Sequence, residues 1–223
     1  MTADSLAHLI YFAGLATGSG ILWRHARHRA YVPVLEDRTT RTDRLLTALS
    51  GLGMFALPLL HVATPWLAWA DYVLGPWSMA PGALLFALGL WLLWRSHRDL
   101  GRYWSAGLQI RRGQPVIDEG VYGLIRHPLY AGYILWGLGQ PFLLHNAVAG
   151  FSMLVTFLPV YFCRVGREEK MLLSRFPEYA AYMQRTARLL PQAALMKRQL
   201  PAFLRASLSR RGARKRPATD LPG

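Results

Sequence analysis

Arg126-His127-Pro128 opens onto LYAGYILWGLGQPFLLHNAVAGFSMLVTFLPVYFC, Leu129 to Cys163, which is 35 residues without one charged side chain. Arg164 ends the run, and Arg167-Glu168-Glu169-Lys170 follows at once. As a single helix at about 1.5 Å per residue the block would be roughly 52 Å long, against a hydrocarbon layer about 30 Å thick. It therefore reads as two short crossings that turn near His145-Asn146. A membrane-length apolar block held between two charged clusters points to a site at a membrane surface, not to a soluble core.

Three further stretches reach the roughly 20 apolar residues that a crossing requires. They are Ser5–Trp23, Leu45–Thr64 (with Pro58 as an expected kink) and Trp77–Trp94. The expectation is an all-α integral membrane protein with five transmembrane helices. The whole chain is 52% hydrophobic and only 17% charged. Its 26 Lys and Arg fall into three segments, Arg24–Arg44, Arg95–Arg126 and Arg164–Gly223. Five crossings put all three on one side and leave Met1–Asp4, Pro65–Pro76 and the hairpin tip without a basic residue. The positive-inside rule then places the N-terminus outside and the C-terminus in the cytoplasm, as in a bacterial inner membrane. Ser5–Trp23 has Asp4 before it and its basic cluster after it, so it reads as a retained anchor and not as a cleaved signal.

The net charge of +14 is accounted for by this topology and by attraction to anionic lipid headgroups. No nucleic-acid module is visible. The single cysteine, Cys163, excludes an internal disulfide and a multi-cysteine metal centre, and the seven histidines show no ligand spacing. The expected partners are anionic lipids, with no nucleic acid and no metal.

Gly101, Gly107, Gly113, Pro115 and Gly120 punctuate an ordered loop over Arg98–Gly120, with Gln114–Ile117 as a short extended piece. Pro128 suits the first turn of a helix, which sets His127 beside free backbone N–H groups and the positive end of the helix dipole. Glu168 and Glu169 are neighbours about 100° apart on a helix, so only one of them can face inward. Beyond them Pro177 divides the chain into two expected short cytosolic helices, Gly166–Arg175 and Pro177–Arg188.

Gln114-Pro115-Val116-Ile117, Gly120-Val121-Tyr122, Arg126 to Gly132, Glu168-Glu169, Phe176, Glu178-Tyr179, Tyr182, Arg188 and Pro191 stand in an order and spacing that resemble isoprenylcysteine carboxyl methyltransferases and their bacterial relatives. The resemblance covers about Leu100 to Pro191. Gln114 stands where eukaryotic members commonly have His, and Phe176-Pro177-Glu178 where Phe-Gly-Glu is usual. The resemblance implies a membrane methyltransferase that uses S-adenosylmethionine. It implies Arg126, Glu168 and Glu169 as catalytic residues. It implies Gln114, Val116, Ile117, Gly120, Tyr122, His127, Pro128, Tyr130, Tyr179 and Tyr182 as cofactor-binding residues. Arginine can pair with the cofactor's carboxylate or orient an anionic acceptor, and a glutamate can receive an amino or hydroxyl group. The acceptor is expected to be lipophilic, or a small apolar thiol or acid. An NADPH-dependent membrane reductase shares the Arg-His-Pro-x-Tyr region and is the first rival; a transporter or scaffold is the second. Three regions are expected: a three-span region 1–99, a cofactor-binding region 100–191 with the two-span hairpin, and a basic tail 192–223.

Overall fold

A computed structural model of the chain describes residues 3–29 and 32–191. The basic tail expected over 192–223 lies outside the described residues. Among the described residues seven α-helices run in the order α1 (Ala3–Arg29), α2 (Arg41–Gly51), α3 (Leu57–Ala63), α4 (Met79–Leu100), α5 (Pro128–Leu144), α6 (Ala147–Arg175) and α7 (Tyr179–Arg185). Among the described residues four helical stretches are long and apolar enough to cross a membrane: Asp4–Arg27, Arg41–Ala63, Pro76–Tyr103 and Ala147–Arg175. The remaining expected crossing is α5, whose 17 residues sit at the short end of the spanning range. The hairpin turns where the sequence places it. His145 closes α5 in the left-handed region, with φ 49 and ψ 33, and the Asn146 side chain caps α6 by accepting from Ala149 N at 2.8 Å.

Glycine fixes how closely α5 lies on α4. A Cβ on Gly89 would come within 2.8 Å of Gly132 O, and one on Gly139 within 2.8 Å of Gly82 O. The two backbones therefore meet directly along an antiparallel seam, the small-residue packing favoured where no hydrophobic drive separates helix from lipid. Phe86, Trp136, Leu143, Met153 and Tyr11 fill the core around it.

The second crossing is interrupted where Pro58 predicts, by a particular device. Residues Leu52–Ala56 form one π-helical stretch between α2 and α3. Pro58 has no N–H for Met54 O, and Tyr11 Oη donates to that carbonyl instead at 2.8 Å. Gly53 O accepts from Ser152 Oγ at 2.6 Å and from Gln140 Nε2 at 3.2 Å. The freed carbonyls thus bind α2–α3 to α1, α5 and α6 inside the apolar layer.

Two expectations change. Gly166–Arg175 is not a separate helix: it is the end of the 29-residue α6, because Val160, Arg164 and Met171 keep one buried face in phase across the charged cluster. The segment Pro177–Arg188 contains only the seven-residue α7, after which Thr186 turns extended and Ile125 and Ala187 pair in parallel. The extended piece of the ordered loop lies at Gln109–Arg111 (β2), which pairs antiparallel with Val34–Asp37 (β1), and not at Gln114–Ile117. Gln114 instead turns back, its side-chain oxygen accepting from Arg111 N at 3.0 Å. Thr40 and Asp43 form a capping box at the start of α2, and buried Asp43 pairs with Arg167, which ties α2 to the charged end of α6.

Candidate functional site

The charged end of α6 meets the start of α5 and the chain after α7. Residues 186–188 run beside 125–127: Arg126 N donates to Ala187 O at 2.8 Å and His127 N to Arg188 O at 3.0 Å. The pairing brings two arginines and a histidine onto one carboxylate. Glu169 Oε1 accepts from Arg126 Nε at 3.1 Å and lies 3.0 Å from His127 Nε2, while Oε2 accepts from Arg188 Nη2 at 2.6 Å. Arg126 Nη1 also donates to the carbonyls of Met183 and Thr186. All these partners are protein groups, so Arg126 and Glu169 act here as a clamp that joins α5, α6 and the chain beyond α7.

Glu168 faces elsewhere, on the wall of a cavity of about 600 Å³. That volume lies within the range of sites that enclose a drug-sized ligand. One end is polar, with Gln114, His127, Glu168, Tyr179 and Tyr182 on its wall, and the other is an apolar arm between Leu22, Trp23, Met54, Phe55, Met153 and Phe157. From Glu168 back to Met153 is 15 residues of α6, about 22 Å along the axis. Tyr130 Oη donates to Glu168 Oε2 at 2.8 Å. Tyr182 Oη donates to Tyr122 O at 2.6 Å, which holds α7 over the loop before α5. Burial holds the phenols of Tyr122, Tyr179 and Tyr182 above their ordinary range; the Glu168 carboxylate adds to the shift at Tyr122 and Tyr179. The three therefore stay neutral hydroxyls.

The structure brings ten of the candidates named from sequence to this cavity: Gln114, Val116, Ile117, Tyr122, Arg126, His127, Tyr130, Glu168, Tyr179 and Tyr182. Gly120, Pro128 and Glu169 are not on its wall. Gly120 has φ +62, and its missing Cβ makes room for Asp99, whose Oδ2 accepts from Val121 N at 3.0 Å. Pro128 opens α5. Of the two adjacent glutamates, the inward one at the cavity is Glu168.

One charged residue of the cavity wall, among the described residues, escaped the sequence reading. Arg164 is 8% exposed, lines the cavity one turn before Glu168, and donates Nη2 to Ala106 O at 2.9 Å. Its Nε has no hydrogen-bond partner, and among the described residues no carboxylate lies within salt-bridge distance of it. A buried guanidinium without a counterion is costly, so this wall is electrostatically prepared for an anion. The available signal was the i, i+4 spacing of Arg164 and Glu168, which puts both on one helix face. Among the described residues no group of three or more His, Cys, Asp or Glu side chains has the arrangement of a metal site.

Comparison with known proteins agrees with this geometry. Residues 82–174 match the Isoprenylcysteine carboxyl methyltransferase (ICMT) family. The cobalt-zinc-cadmium resistance protein CzcN of Cupriavidus metallidurans is 32% identical over 113 residues, covering 50% of this chain and 51% of that protein. Protein-S-isoprenylcysteine O-methyltransferase B of Arabidopsis thaliana is 30% identical over 112 residues, 49% of this chain and 57% of the relative. The human protein-S-isoprenylcysteine O-methyltransferase is 27% identical over 126 residues, 55% of this chain and 44% of the relative. The chain spans about half the length of the curated relatives it matches. Through residues 82–174, the stretch that carries Arg126, His127, Arg164, Glu168 and Glu169, this all-α membrane protein is similar to the isoprenylcysteine carboxyl methyltransferase family.

Proposed function

We propose that the chain is a membrane-embedded methyltransferase that draws on S-adenosylmethionine and methylates a lipophilic acid or thiol. The observation that carries this reading is the single cavity whose polar end around Glu168 continues, past the buried cation Arg164, into an apolar arm among the membrane helices. A soluble charged cofactor and an apolar acceptor can share such a space, each in surroundings of its own kind.

The residues present fit the cofactor. A sulfonium and an ammonium both call for negative surroundings. The Glu168 carboxylate and the rings of Tyr130, Tyr133 and Tyr179 offer them on the cavity wall. Val116, Ile117 and Leu172 give apolar wall for a purine, and neutral tyrosine hydroxyls and the Gln114 amide give hydrogen-bonding groups. The cofactor supplies an electrophilic methyl group on a sulfonium centre. A carboxylate or thiolate acceptor then needs no strong general base. What the protein contributes is alignment and exclusion of water. The Arg164 guanidinium on the wall is the group assigned to orient an acceptor anion. Glu169 holds Arg126, His127 and the chain beyond α7 in place from behind the wall, and Arg126 both joins that clamp and lines the cavity. Both membrane and cytosolic segments build the wall, so the expected division at residue 100 runs through the site.

The orientation we infer puts Arg126, the polar end of the cavity and the C-terminal segment in the cytoplasm of a bacterial inner membrane. It rests on the one-sided Lys and Arg distribution. Arg27 stacked 3.8 Å over the Trp23 ring and Arg98 over Trp94 are in keeping with anionic headgroups at that boundary.

Calorimetric titration of the detergent-purified protein tests the reading. S-adenosylmethionine or its demethylated product binds and NADPH does not. Binding of NADPH alone would replace the methyltransferase by a reductase.

A further inference from the structure

Residues 64–78 join α3 to α4 at the end of the bundle where α6 begins, 22 residues and about 33 Å along α6 from Glu168. This connection is built as a plate. Pro65–Ala70 is a 3₁₀ helix, so positions three apart share a side. Trp66 and Trp69 stand on the outer side, 72% and 78% exposed; Val73 (98%) and Trp77 (64%) continue the patch. On the inner side Ala70 is buried and Leu67 packs on the core.

Polar groups fasten the plate, with Asp71 keeping about half of its side chain exposed (48%). Leu67 O and Asp71 Oδ1 both accept from Asn146 Nδ2, at 2.7 and 2.6 Å. Tyr72 N donates to His145 O at 2.9 Å and Tyr72 Oη to Pro141 O at 2.6 Å. Between Thr64 and Ser78 there is no Lys, Arg or Glu, and Asp71 is the single acid. A fastened plate that shows three indoles outward has no use for water on that face. Indoles favour the boundary between headgroups and acyl chains, and the plate is continuous with the lipid-facing flanks of the crossing helices.

One helix beside the plate is short: α5 has 17 residues, about 25 Å, against about 30 Å of hydrocarbon. Membranes meet such a deficit by thinning locally, given an anchor that holds the leaflet.

We propose that Trp66, Trp69, Val73 and Trp77 form a lipid-binding plate. It seats its indoles at the headgroup boundary of the leaflet opposite the candidate active site and draws that leaflet in toward the short α5. The occupant is phospholipid, and the inference does not depend on the methyl-transfer reading.

Spin labelling tests it. Cysteine replaces Val73 on a Cys163→Ala background, and in a parallel variant it replaces Arg112, an exposed turn residue on the other face. The full chain is reconstituted in phosphatidylcholine vesicles, and relaxation by oxygen is compared with relaxation by a water-soluble nickel chelate. The expected result is oxygen dominance at position 73 and nickel dominance at position 112. Nickel dominance at both positions overturns the proposal. So does dipolar broadening at position 73 that vanishes on dilution with unlabelled protein, because a second copy would then cover the face. If Val73→Cys fails to fold, the Trp66→Phe/Trp69→Phe protein supplies the reading: quenching of tryptophan emission by brominated lipid falls. Unchanged quenching overturns the proposal.

Discussion

Glu169→Gln and Glu168→Gln separate a clamp from a ligand contact, although the two side chains are adjacent. Glu169 is 4% exposed and faces Arg126, His127 and Arg188. Arg188 has 47% of its side chain exposed, so that pair is screened and is worth at most about 1 kcal/mol. Arg126 is different: its side chain is 9% exposed, and the amide leaves it without a counterion. Removing one partner of a buried pair costs about 3–5 kcal/mol. The carbonyls of Met183 and Thr186 still receive Arg126, which favours the lower figure, about 3 kcal/mol. At roughly 2–4 °C per kcal/mol for a chain of this size, Glu169→Gln lowers Tm by about 6–12 °C. Glu168→Gln keeps an oxygen for Tyr130 and changes Tm little. It removes the negative charge from the cavity, and S-adenosylmethionine affinity falls by about tenfold or more, 1.4 kcal/mol per decade. Thermal melts in detergent without ligand and calorimetric titration with the cofactor read the two effects. The reasoning is refuted if Glu168→Gln destabilises the ligand-free protein as much as Glu169→Gln, or if Glu169→Gln leaves Tm unchanged.

Arg164→Met keeps the volume of the buried wall and removes the cation. Cofactor binding persists, whereas kcat/KM for an acidic acceptor falls about 10- to 150-fold, the worth of a hydrogen bond to a charged group of about 1.5–3 kcal/mol; an equal loss of cofactor affinity would move Arg164 to the cofactor. Gly120→Ala, at φ +62 and with the new Cβ 2.0 Å from Asp99 Oδ2, lowers Tm clearly more than Gly113→Ala, which is also left-handed, at φ +70, but open. Similar melts for the two would remove the close approach as the reason for glycine. The phenols of Tyr122, Tyr179 and Tyr182 are raised chiefly by burial, so the folded state holds their protons more tightly than the unfolded chain. That stabilisation is complete below the unfolded value of about 10 and is lost as pH rises through the folded values. Phenolate absorbance therefore shows these three ionising only with cooperative alkaline unfolding; reversible titration of all ten tyrosines near their ordinary range would contradict it.

The hairpin was legible in the sequence because lipid forbids charge over a fixed length. The 35 uncharged residues from Leu129 had to turn, and His145-Asn146 was the polar place to do it. The interruption near Pro58 was legible from its missing N–H. What replaces that bond, Tyr11 Oη on Met54 O, was not, because the partner lies 43 residues away. The boundary of α6 was missed for a related reason. A charged cluster ends a crossing but need not end a helix when Val160, Arg164 and Met171 keep a buried face. Ten cavity residues could be named from the motif. The roles of Arg126 and Glu169 depended on chain pairing between 125–127 and 186–188, which spacing along the sequence does not carry. Arg164 was counted with the topology charges, since an arginine at a membrane boundary has the same appearance whether it faces headgroups or a cavity.

Transfer of a labelled methyl group tests the central claim most directly. The purified chain is reconstituted in vesicles and incubated with S-adenosylmethionine carrying a radioactive methyl group and a panel of lipophilic acids and thiols; organic-phase counts are compared with those from Glu168→Gln. The account predicts label in at least one lipophilic acceptor, dependent on the wild-type chain and strongly reduced in the variant. Folded protein that binds the cofactor but labels no acid or thiol, or a Glu168→Gln protein as active as the wild type, would contradict it.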